Sequence, residues 1–132
     1  MKRFEEKIVL ITGASRGIGK GIAKRFAEEG ASLILSANEE SVHKVAEELK
    51  TLGINAVSVV CDVTQKTEVE RLYDRALAEF GKLDVSIQNA GVITIARIEE
   101  LSENDWDRVM AVNTKGVFLC LSVAFSHTQK QR

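Results

Sequence analysis

Three glycines, Gly13, Gly17 and Gly19, fall in the segment Thr12-Gly13-Ala14-Ser15-Arg16-Gly17-Ile18-Gly19. The apolar run Ile8 to Ile11 comes just before it. After it, Ile18, Ile22, Ala23, Phe26 and Ala27 recur at helical spacing. A glycine-rich turn from strand to helix is suited to hold a pyrophosphate. One glycine permits the tight turn, the next admits the phosphates to the backbone, and the third lets helix and strand pack closely. The N–H groups of the first helical turn and the positive end of the helix dipole then face the anion. The spacing is GxxxGxG rather than GxGxxG, and the sparer reading is a turn that binds nothing. Folds that hold a dinucleotide this way place an acid about 20 residues on, against the ribose 2′-hydroxyl. Here the second strand ends in Ser36-Ala37-Asn38 with no acid, and Arg16 stands inside the turn. A guanidinium there can grip a 2′-phosphate with two hydrogen bonds, which favours NADP over NAD. The sparer reading of Arg16 is a solvated turn residue. Ser15 can bond phosphate or ribose, or serve only the turn. Glu39 and Glu40 are read as complements to the dipole of the second helix.

Other polar residues stand in telling places. Asp62 and Val63 follow a valine-rich run, where Asp62 either meets a ligand or caps the next helix. Asn89, Ala90 and Gly91 follow another short apolar run. Asn89 falls at a strand's carboxyl end, beside the crevice where such folds take ligands. Asn113 interrupts an apolar stripe, and a poor helix former there has a polar job. Cys61 and Cys120 form no CxxC and no metal spacing, so they read as reduced thiols of a cytoplasmic protein. His43 and His127 read as surface residues, and no metal site is expected.

These residues need a frame, and the chain supplies one by alternation. Strand-like runs at 8–11, 33–35, 56–60 and 83–87 alternate with helical stripes that stop at Gly30, Gly53 and Gly81. Thr67 with Glu70 resembles a capping box, and Ser102 with Asp105 an N-cap. Residues 89–100 read as irregular. A long helix follows through Trp106, Val109, Met110, Phe118 and Leu121, with a break expected at Asn113 and Gly116. The polar run Ser126 to Arg132 is expected to fray. Continuous apolar strands between helices predict a doubly wound parallel α/β sheet, covered on both faces, in one domain over residues 1–132. The order expected of its four strands is 3-2-1-4.

Composition fits a globular domain: 132 residues, 45% hydrophobic and 28% charged. Eighteen basic residues against nineteen acidic give a net charge of −1, which argues against a nucleic-acid partner. No uninterrupted apolar run reaches the ~18 residues of a membrane span, and the N-terminus lacks a signal-peptide pattern.

Taken in order, these motifs resemble the short-chain dehydrogenase/reductase family. Thr12 to Gly19 matches its TGxxxGIG turn. Asp62-Val63 matches its adenine-side aspartate. Asn89-Ala90-Gly91 matches its NNAG, with Gln88 in place of the first asparagine. Asn113 matches the asparagine of its catalytic tetrad. The resemblance covers about Lys7 to Leu121, and Ser122 to Arg132 departs from it. It implies a Rossmann-type fold and NADP or NAD as cofactor. It implies hydride transfer between an alcohol and a carbonyl. It gives Asp62 a bond to the adenine amino group, and Asn113 a part in shaping a kinked helix and anchoring a relay water. It also implies a serine and a Tyr-x-x-x-Lys after Asn113. The one tyrosine, Tyr73, comes too early and is followed four residues on by Leu77. The chain therefore resembles the N-terminal portion of such an enzyme and is expected to be inactive alone. A non-catalytic nucleotide-binding or scaffold module is the alternative, and a methyltransferase is weaker still. Reading on into a Tyr-x-x-x-Lys would decide for the enzyme. An uncovered fourth strand and an apolar late helix predict a homo-oligomer, through Trp106, Val109, Phe118, Leu121, Phe125 or the strand edge.

Overall fold

Alternate residues of each strand face opposite sides of a sheet, and in this chain both sides are apolar. The computed structural model describes residues 2–130. Strands β1 (Ile8–Ile11), β2 (Ser32–Ala37), β3 (Ala56–Val60) and β4 (Val85–Ile87) form one parallel sheet in the order β3-β2-β1-β4. Leu10 lies beside Ile34 of β2 and Ser86 of β4. The expected class and order both stand. β4 is shorter than its apolar run, because Leu83 leaves the ladder to enter the core.

Helices α1 (Gly17–Glu28) and α2 (Val42–Thr51) cover one face. There Val9, Ile11, Leu33 and Leu35 meet Ala23, Ala27, Val45 and Leu49. Helices α3 (Lys66–Phe80) and α5 (Gly116–Lys130) cover the other, where Ile8, Leu10 and Ile34 meet Val69, Leu72, Leu119 and Val123. Each Val, Leu or Ile side chain among them, fully buried, contributes roughly 1.5–3 kcal/mol. Gly30, Gly53 and Gly81 follow α1, α2 and α3 at positive φ, as their positions foretold.

The expected capping box is not formed. α3 begins at Lys66 with Gln65 as its N-cap, so Thr67 is already helical, and Glu70 lies 4.0 Å from Lys66 instead. A turn that bonds Gln65 N–H to the Asp62 carbonyl sets this earlier start. Ser102 does cap α4 (Glu103–Met110), accepting the Asp105 N–H at 3.0 Å. The expected break is a π-helical turn over Ala111–Lys115, between α4 and α5.

α5 stays helical through the polar end as far as Lys130; Gln131 and Arg132 lie outside the described residues. This carries His127 one turn past Val123, onto the face packed on α3, so it is not a surface residue. It is 6% exposed, with Nε2 2.8 Å from Asp74 Oδ1 and Nδ1 2.9 Å from the Val123 carbonyl. His43 is exposed, beside Ser58 and Glu40. Within Glu103–His127 an 18-residue window has a mean hydropathy of 1.5, apolar enough by length and composition to cross a membrane although no unbroken apolar run is that long. Leu119, Cys120, Val123 and Ala124 of this stretch pack into the core, and a core helix passes the same test.

Candidate functional site

Thr12 directly follows β1 and is 1% exposed, so its hydroxyl needs partners inside the protein. It accepts the N–H groups of Asn89 at 3.1 Å and Ala90 at 3.0 Å. Asn89 returns the bond, its Nδ2 donating to the carbonyls of Thr12 (3.2 Å) and Gly13 (3.1 Å). The end of β4 is thus tied to the glycine turn across 77 residues of chain. Gly13 holds φ +65°, and a Cβ on it would stand 2.9 Å from Ala90 Cα. At Gly19 a Cβ would overlap the Gly13 carbonyl and the Asn89 amide.

The carboxyl ends of the strands open onto a cleft of about 630 Å³. Gly13, Ser15, Arg16, Gly17, Ile18 and Gly19 line it, with Asp62 and Val63, and with Asn89, Ala90 and Gly91. Ile18, otherwise an anomalous exposed hydrophobe at 77%, faces this space. No acid occupies the first turn of α1, and the N-cap, Arg16, makes no side-chain cap bond. No atom lies within 4 Å of where a Cβ on Gly17 would stand. An uncapped positive helix end beside an open glycine wall fits the pyrophosphate of a dinucleotide.

Asp62 Oδ1 accepts the Thr64 N–H at 2.9 Å and the Thr64 hydroxyl at 2.7 Å, while the Asp62 N–H donates to Glu68 at 3.0 Å. The alternative of an N-cap fails, because Gln65 takes that place. Asn113 lies outside the cleft wall, in the π turn. Its Oδ1 accepts the Val92 N–H and its Nδ2 donates to the Val92 carbonyl, both at 2.8 Å. Asn113 thereby fixes the segment that continues from Gly91. Gln88 donates to Ser86 at 2.8 Å and to Tyr73 at 3.2 Å, beneath the site.

Glu39 departs from its expected role. α2 begins only at Val42 and has no acid in its first turn. Glu39 instead turns to the glycine segment. Ser15 Oγ donates to it at 2.7 Å, and Arg16 Nε lies 3.9 Å away. Glu40 pairs with His43 at 3.1 Å. Sequence reasoning also missed Asn38, Cys61, Val92, Arg108 and Val112 in the lining. For Arg108 and Val112 a signal existed, since four residues apart on a helix they share a face. Arg108 also donates to Thr94 at 3.0 Å.

Neither of the reactive side chains nearby is poised for acid–base work. Burial pushes the Cys61 thiol up to about 12. Burial likewise pushes Tyr73 up to about 12, against the opposing bonds from Ser86 and Gln88.

The family model for short chain dehydrogenases matches residues 7–132, so the family likeness runs past Leu121 through the segment expected to depart from it. A short-chain dehydrogenase/reductase of Pestalotiopsis microspora is 39% identical over 95% of this chain and 48% of its own. A hydroxynaphthalene reductase-like protein of Metarhizium brunneum is 42% identical over 92% of this chain and 46% of its own. Among solved structures, a Burkholderia phymatum short-chain dehydrogenase/reductase in complex with NAD superposes with TM-score 0.93 at 33% identity, covering 99% of this chain and 47% of that one. A Burkholderia cenocepacia short-chain dehydrogenase in complex with NADP gives 0.89 at 32%, covering 95% and 52%. The chain thus spans about half the length of the curated relatives it matches. Sheet order, glycine turn and ordered motifs agree with these matches: the chain belongs to the short-chain dehydrogenase family.

Proposed function

We propose that this chain is the dinucleotide-binding half of an oxidoreductase that moves hydride between an alcohol and a carbonyl, using NADP in preference to NAD. The observation that carries this reading is convergence. Three motifs spread over residues 12–91 meet at one cleft, at the carboxyl ends of parallel strands. The NAD and NADP complexes of its structural neighbours support it. The nicotinamide cofactor would supply or accept the hydride. The backbone of Gly13, Gly17 and Gly19 and the N-terminus of α1 would hold its phosphates. Arg16 would meet a 2′-phosphate, and Asp62 and Val63 the adenine. Asn89, Ala90 and Gly91 would take the adjoining ribose side. Asn113, the tetrad asparagine, would fix that segment through Val92.

By itself the chain should not turn over substrate. A positioned acid–base contributes on the order of 10²–10⁴-fold, and Tyr73, buried in the core, cannot supply it. The isolated chain then acts as a nucleotide-binding module. Calorimetric titration of the 132-residue chain with NADP and NAD, beside NADPH absorbance with a panel of ketones, diketones and sugars, tests both statements. Weak binding, from the adenine side of the site alone, without turnover is expected. Absence of binding would remove the dinucleotide reading, and sustained turnover would reveal an acid–base that does not follow the family pattern.

A further inference from the structure

A second set of polar side chains converges outside the cleft lining, where α2 packs on β3. His43 stands in the first turn of α2 and Ser58 at the middle of β3. Val42, Val45 and Leu49 share a core with Ala56, so helix and strand hold fixed positions. His43 Nδ1 lies 2.7 Å from Ser58 Oγ, at the surface. Its Nε2 lies 3.1 Å from Glu40 Oε2. The His43 N–H donates to the Glu40 carbonyl at 3.0 Å, which closes the turn that carries both side chains. Carboxylate oxygens only accept, so the ring proton belongs on Nε2. Nδ1 then offers its lone pair, and the Ser58 hydroxyl donates to it. A hydroxyl beside a base that a carboxylate orients is the arrangement that activates a serine. The strand adds an open donor. Among the described residues β3 has β2 as its one strand partner. The Asn55 carbonyl accepts the Leu33 N–H, and the Cys61 N–H donates to the Ala37 carbonyl. With Leu35 beside Ser58, this register turns odd-numbered β3 residues toward β2 and the Ser58 N–H outward. The serine's own N–H is thus free to meet an oxyanion. Among the described residues no cluster of histidine, cysteine and acidic side chains gives a metal a rival claim on His43.

We propose that Ser58 is a nucleophilic acyl-acceptor site for small activated esters, with His43 as its general base and Glu40 as the residue that positions the imidazole. The Ser58 oxygen bonds to the acyl carbon, and its proton passes to His43 Nδ1. The bond from that carbon to the leaving oxygen then breaks, and the leaving oxygen takes the proton from His43. The products are O-acyl Ser58 and the free alcohol or phenol. Glu40 is 85% exposed and His43 47%, so no wall grips the acyl group. The rate should therefore rise linearly with ester rather than saturate. The site is independent of the dinucleotide reading above.

The test treats the 132-residue chain with p-nitrophenyl acetate and maps acetylated positions over time by peptide mass spectrometry. Ser102, an exposed serine whose oxygen caps α4, sets the level for a serine that neither histidine bonds. Ser58 should be acetylated about a hundredfold faster, the lower end of what a positioned base supplies. His43→Gln keeps a hydrogen-bonding partner and removes the base, and it should bring Ser58 down to the Ser102 level. Nitrogen NMR of the His43 ring should find its proton on Nε2. Glu40→Ala should erase that preference and slow Ser58 about tenfold, a paired change that lost packing alone would not produce. Melting curves confirm that each variant folds. Equal rates at Ser58 and Ser102 would overturn the proposal, as would an unchanged Ser58 rate in folded His43→Gln. A ring proton found on Nδ1 would overturn it too.

Discussion

At Gly19 a single methyl group separates a working turn from a broken one. The Cβ of alanine would overlap the backbone carbonyl of Gly13, which cannot swing aside as a side chain could, and the Asn89 amide that ties β4 to the turn. Gly19→Ala should therefore cost about 1–3 kcal/mol of stability through overpacking and weaken dinucleotide binding at least about tenfold. Gly21 is the internal control. It lies in the same helix with no atom within 4 Å of its would-be Cβ. Gly21→Ala should stabilise by roughly 0.5–1 kcal/mol and leave binding unchanged. Thermal melts and calorimetry on the two variants check both outcomes. Residues of the glycine turn were legible in the sequence because the turn writes its demands into consecutive positions. Glu39 was not, because the serine it bonds is 24 residues away in sequence and reaches it only when β1 and β2 lie side by side.

Elements were legible where their reasons are local. The apolar runs gave the strands, the glycines gave the helix ends, and Ser102 gave its cap. The start of α3 was misplaced because the turn at Asp62–Gln65 is made by backbone, which no side-chain pattern announces. The burial of His127 was hidden by the polar residues around it. The break at Asn113 was foreseen, yet its π form follows from a grip on Val92, 21 residues upstream. At the opposite end of the sheet from the cleft, Asp84 performs a similar clasp. Its Oδ2 accepts the Ile8 N–H at 2.8 Å and lies 3.2 Å from Lys82. Burial raises this carboxyl, but the Ile8 bond and Lys82 outweigh it, and it sits below its ordinary value of 3.8. A carboxyl lowered in the folded state stabilises at neutral pH, and that contribution disappears as acid titrates it. Asp84→Ala should cost about 1.5–3 kcal/mol at neutral pH. The gap from the unaltered chain should close once the pH falls well below the carboxylate range. Urea midpoints across that span would show it, and a gap that persisted in acid would argue for lost packing instead.

For the whole molecule the open question is what its apolar surface meets. Trp106, Phe118 and Phe125 are 57%, 64% and 65% exposed along α4 and α5, and Leu121 is 41% exposed between them. Among the described residues β4 pairs with β1 and with no second strand. Large apolar groups gathered on one side of a domain invite association, and a strand with unpaired backbone does the same. The chain is expected to form a homo-oligomer. Light scattering should give a multiple of the chain mass, and Phe118→Lys with Phe125→Lys should lower it. A monodisperse monomer at high concentration would refute this. If the mass stays high in the double variant, the β4 edge becomes the contact.

Cys61 and Cys120 share the core between the sheet and helices α3 and α5, at 2% and 1% exposure. Burial holds their thiols at about 12 and about 11, far from the thiolate that electrophiles need. Each thiol is in effect a sealed clock, started only when its own surroundings part. Cys61 follows β3 and Cys120 belongs to α5, so the two clocks time different seams of one molecule. Mass spectrometry of pulse-alkylated chain would show whether both tags arrive together, as in unfolding of the whole domain. A tag on Cys120 alone, arriving first, would mark a helix lifting from a sheet that stays assembled.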